Sequence, residues 1–192
     1  MPPALPFAIA ALALAPATQA TTAQAPPDVE AGFAAALRGC ETWILKPGSW
    51  TNGVEPFVAA VGLGDGMEWA EGVAEGALPP PQLRQANRYW RINSTRGAGY
   101  ILVVSERLPI CHITGGGRDA DLQPAVQSVL AAPAFASRWE KVSEAARGDM
   151  VSSLYRHRDE PALSITISHA KAPGQRRDRV QVIATGIWKP DE

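Results

Sequence analysis

Apolar and polar positions along this 192-residue chain fall into two kinds of pattern. Near the start, Val29, Phe33, Leu37 and Cys40 recur at the spacing of one helical face, and Asp28 stands where a side chain can cap that helix. A second helix is expected after Asp121, with Leu122, Val126, Val129 and Leu130 on one side and Pro124 tolerated in its first turn. Phe57, Val61 and Leu63 could share a third, short helix.

From Arg88 onward most of the pattern changes to a period of two. Arg88–Ile92 alternates, a Gly-containing turn follows, and Tyr100–Val104 reads as a buried strand. Leu108-Pro109 precedes a third strand, Ile110–Thr114, and Gly115-Gly116-Gly117 reads as a loop after it. Leu163, Ile165 and Ile167 alternate strictly with Ser164, Thr166 and Ser168, so one face of that strand should be dry and the other wetter. Strand-like Met150–His157 and Val180–Ile187 flank it through short turns, which favours an antiparallel meander. Residues 135–142 fit helix or strand equally well. The expected fold class is α+β: a mainly antiparallel sheet of about six strands with two or three helices packed on one face. No internal repeat is visible in the sequence.

Before Asp28 there is no periodicity of either kind. Residues 1–25 carry no charge, and Ala4 to Ala15 form an apolar run of signal-peptide length, too short to span a bilayer. Thr18-Gln19-Ala20 and Ala23-Gln24-Ala25 both fit a small-residue cleavage site. The expectation is a signal peptide over 1–25 and one globular domain over 26–192, periplasmic or secreted and not membrane-spanning once processed. Residues 46–82, rich in Gly and Pro, are expected to be irregular within that domain.

Composition then removes some function classes. Eighteen Lys and Arg against nineteen Asp and Glu leave a net charge of -1. That lacks the basic field needed to displace counterions from nucleic acid. Export places the two cysteines, Cys40 and Cys111, where an even pair favours a disulfide. A Cys111–His112 dyad is disfavoured, because neighbours on a strand face opposite sides.

Candidate chemistry is sparse. Gly62-Leu63-Gly64-Asp65-Gly66 misses the dinucleotide-loop spacing, with Met67 in the last glycine position. The histidines His112, His157 and His169 have no metal-ligand spacing, and no cofactor is expected. Thr114 to Arg118 could hold an anion with Arg118 assisting, although Asp119 and Asp121 oppose this. Of six tryptophans, Trp50 and Trp69 sit in the irregular stretch and could grip a small ligand or a protein partner. The sequence reads as an exported binding or interaction module with Trp50, Trp69, Arg118 and His112 as contact residues. The alternative is a small cell-envelope hydrolase with His112 or His169 as general base.

Overall fold

The computed structural model describes residues 28–46, 55–93, 97–177 and 179–189. The expected signal peptide and Trp50 lie outside the described residues. Among the described residues four helices, α1 (Val29–Leu45), α2 (Glu55–Val61), α3 (Gln123–Ala131) and α4 (Pro133–Ala136), accompany eight strands. The strands are β1 (Met67–Ala70), β2 (Asn87–Ile92), β3 (Ala98–Ser105), β4 (Ile110–Gly117), β5 (Trp139–Arg147), β6 (Met150–His157), β7 (Leu163–Ala170) and β8 (Val180–Trp188). All eight form one antiparallel sheet in the order β1-β2-β3-β4-β8-β7-β6-β5.

The α+β class with an antiparallel sheet is therefore as expected, while the strand count is eight and not six. Both extra strands are the edges of the sheet. Nearly every residue of β5 is exposed, so neither face imposes an alternating pattern. Residues 135–142 divide between the one-turn α4 and the start of β5. The stretch 46–82 is less irregular than read, since it holds α2 and β1.

Asp28 caps α1 as its position suggests, its carboxylate accepting the N–H groups of Glu30 (3.1 Å) and Ala31 (3.0 Å). Phe33, Leu37 and Cys40 are buried on α1, which packs over β3, β4 and β8. Cys40 bonds to Cys111, with Cα atoms 5.4 Å apart, and so pins the helix to the sheet. Asp121 does not cap α3: Leu122 occupies that position. The Asp121 carboxylate instead accepts the Gln123 N–H (3.2 Å) and the Gly174 N–H (2.5 Å), bracing the loop before β8.

The topology repeats although the sequence does not. Two helices and a four-stranded meander occur twice, and the two meanders join where β4 pairs with β8. The helices cover one face, where Leu163, Ile165 and Ile167 are buried. On the other face Thr166 is exposed and Ser164 and Ser168 are half-buried, as the alternation anticipates. The long edge β5 is guarded against further strand pairing. It carries Glu140, Lys141, Glu144 and Arg147, and its register shifts between Lys141 and Ser143. No helix among the described residues is long and apolar enough to cross a membrane.

Candidate functional site

The face without helices carries a cleft of about 800 Å³. Sheet pairing builds it. Arg91 on β2 lies opposite Ile101 on β3, which lies opposite Thr114 on β4, so three neighbouring strands present these residues in one row. Arg118 follows β4, and Arg179 precedes β8. Arg91, Ile101, Thr114, Arg118 and Arg179 all line the cleft, and the Ala74–Ala77 stretch forms part of its wall. Among the described residues, its lining includes three arginines and no carboxylate.

Gly115-Gly116-Gly117 also lines this cleft, but not as the loop read from the sequence. These residues are the end of β4, paired with β3 and, through a register shift, with β8. Strand packing requires the missing side chains. A Cβ at Gly115 would come within 2.6 Å of Tyr100 and Val182, and one at Gly116 within 2.7 Å of the Arg179 carbonyl. The run is thus no free nest of N–H groups, and α3 begins at Gln123, further along the chain. What remains of the anion expectation is charge supplied by side chains. Of the two opposing acids, Asp121 is engaged by the loop N–H groups described above. Asp119 packs its carboxylate against Gly97 at the rim.

His112 stands one residue-pair behind the row. It is 4% exposed, and burial pushes its imidazole down to about 4, so the ring is neutral at ordinary pH. Nδ1 lies 2.9 Å from the Thr185 hydroxyl and Nε2 lies 3.0 Å from the Thr114 hydroxyl. It therefore reaches the cleft only through Thr114. Trp69 belongs elsewhere. It pairs with Trp90 on the face that carries the helices. It is 47% exposed, edge-on to Trp90 at 5.5 Å, with the Arg88 guanidinium 5.6 Å above its ring. The structure brings Arg118 and the His112–Thr114 pair together and leaves Trp69 apart.

The three histidines do not meet. His112 is on the open face, whereas His157 and His169 lie on the helix-covered side at opposite ends of the β6–β7 region. His169 shares a second cleft, of about 580 Å³, with Ser153 and Glu144. There the Ser153 hydroxyl donates to Glu144 at 2.9 Å. Hydrogen bonds from Lys141 and then from Ser153 hold the Glu144 carboxyl below its usual range. His169 uses its Nδ1–H on the Ala170 carbonyl at 2.8 Å, which leaves the lone pair on Nε2.

Arg91 and Arg179 were missed by sequence reasoning because pairing of distant strands, not local spacing, assembles the rim. A usable signal existed for Arg91: it occupies a polar position of an alternating strand, next to the hairpin that leads to β3. No protein-family model matches this chain, and neither a curated protein nor a solved structure matches it, so the site chemistry alone carries the functional reading.

Proposed function

We propose that the chain is an exported, disulfide-stabilised binding module that holds a small anionic ligand in the arginine-rimmed cleft. One observation carries this reading: Arg91, Arg118 and Arg179 line a single concavity, and none of the described residues that line it is a carboxylate. Guanidinium groups present planar forks of N–H donors that match carboxylate and phosphate oxygens. The cleft volume falls in the range of about 300–1,000 Å³ usual for small-molecule sites. The apolar run at Ala4 to Ala15 and the Cys40–Cys111 bond support a periplasmic or secreted location.

The test is calorimetric titration with inorganic phosphate. Saturable binding that weakens with added sodium chloride is expected, and Arg118→Ala combined with Arg179→Ala should reduce affinity at least tenfold, taking the loss of charge-assisted hydrogen bonds as about 1.5–3 kcal/mol. Absence of binding, or equal binding by the double variant, would overturn the assignment.

A second reading, the cell-envelope hydrolase, draws support from the second cleft. A histidine with a fixed Nδ1–H, a buried serine and a carboxylate line it together. Against catalysis, the serine proton already points at Glu144. Labelling of Ser153 by a fluorophosphonate would favour the hydrolase; failure to label would count against it.

A further inference from the structure

Two hydroxyls and one imidazole form a continuous chain from the centre of the open face to the cleft: Thr185, His112 and Thr114. The two contacts are 2.9 and 3.0 Å. His112 and Thr185 are cross-strand partners on β4 and β8, and Thr114 is two residues along β4, on the same face. His112 and Thr114 are only 4% and 6% exposed, so the contact between them is sheltered from competing water, while Thr185 is half-buried.

A neutral imidazole offers one donor and one acceptor, while each hydroxyl can play either part. The chain therefore has two polarities. In one, the Thr185 O–H donates to Nδ1, Nε2–H donates to the Thr114 oxygen, and the Thr114 O–H is left to point into the cleft. In the other, the Thr114 O–H is spent on Nε2, and only oxygen lone pairs face the cleft. An anion accepts hydrogen bonds and repels lone pairs, so only the first polarity is compatible with an occupied site.

We infer that His112 is a positioning residue of the cleft: its Nε2–H tautomer turns the Thr114 hydroxyl into a donor for the bound anion, and ligand binding selects that tautomer. This rests on the anion-binding reading and adds a neutral donor to the three guanidinium groups. It also assigns a role to the uncharged Thr114, the first residue of the stretch read from the sequence as an anion site. Protonation of His112 would reverse the Thr185 contact, since both ring nitrogens would then donate, but would keep Nε2–H donating to Thr114.

The experiment uses the full chain, uniformly labelled with ¹⁵N, and long-range ¹H–¹⁵N correlation of the histidine rings, with the His112 signals assigned from their loss in His112→Gln. Titration with inorganic phosphate should drive His112 to the Nε2–H form while the tautomers of His157 and His169 stay fixed. Thr114→Val should weaken phosphate binding about tenfold, the loss expected of one hydrogen bond to a charged group, and Thr114→Ser should restore it. If phosphate binds but His112 holds its hydrogen on Nδ1, or if Thr114→Val binds as tightly as the parent, the tautomer inference is wrong while the cleft assignment stands. If the parent protein binds no phosphate, the cleft assignment fails and takes this inference with it.

Discussion

Nε2 of His157 lies 3.3 Å from the Glu41 carboxylate, a contact that ties α1 to the end of β6 across 116 residues of chain. The other ring nitrogen accepts the Glu160 N–H at 3.1 Å, so Nε2 carries the hydrogen and donates. Arg138 Nε lies 3.0 Å from the second carboxylate oxygen, an ion pair without hydrogen-bond alignment. Glu41→Ala should therefore strand the His157 donor, remove the countercharge beside Arg138, and cost about 1–3 kcal/mol in urea unfolding. Glu41→Gln, which keeps one acceptor oxygen, should cost less. A loss within experimental error for the alanine variant would mean that this junction adds nothing to stability.

The Cys40–Cys111 bond closes a loop with a sequence separation of 71. Chain-entropy arithmetic for a loop of that size gives about 4 kcal/mol. The variant with both cysteines changed to Ala should fall short of the parent by up to that amount in denaturant midpoint analysis. Thiol titration of the denatured, unreduced protein should find no free cysteine.

Acidification should weaken the fold through His112. Its folded value is about 4 against an ordinary 6.5, so between these two values the unfolded chain binds more protons. Stability then rises with pH across that window and falls as pH drops through it. The full linkage amounts to about 3 kcal/mol, reached near the folded value. His112→Gln should flatten the stability profile between these pH limits; an unchanged slope would place the acid sensitivity elsewhere.

Ile165 is 1% exposed on β7, beneath the helices, while its neighbour Ser164 faces the open side. Ile165→Ala should cost roughly 2–5 kcal/mol through the cavity it leaves. Ser164→Ala should stay within about 0.5 kcal/mol. Similar costs at the two positions would contradict a sheet with one covered face.

If the chain is exported as proposed, intact-mass measurement of the protein recovered outside the cytoplasm should show the loss of residues 1–20 or 1–25. Recovery from that fraction with Met1 to Ala25 intact would refute cleavage.

The interior strands were legible because burial on one or both faces constrains every residue in them. The Leu163 to Ser168 alternation is the clearest case; Asp28 at the head of α1, which is exposed, was legible instead from its capping chemistry. Edge strands escape such constraint. Along β5 only Trp139 is buried, so charge and small residues could replace the alternating signature at no cost to packing. In the cleft, Arg118 was legible from its local setting beside Thr114. Arg91 and Arg179 were not, since their proximity depends on which strands pair. The glycine run misled for a related reason: packing by Tyr100 and Val182, distant in sequence, keeps Gly115 in a strand where composition suggests a loop.

The seam between the two meanders also orders events in time. β8 follows all the other strands along the chain, yet it sits at the middle of the sheet, between β4 and β7. A chain emerging amino end first can form its first meander early but cannot join it to the second until β8 has arrived. Contacts this distant in sequence slow folding. If the chain is exported unfolded, as the proposed location requires, a closing step reserved for β8 would leave it open to the translocation machinery until that strand had passed.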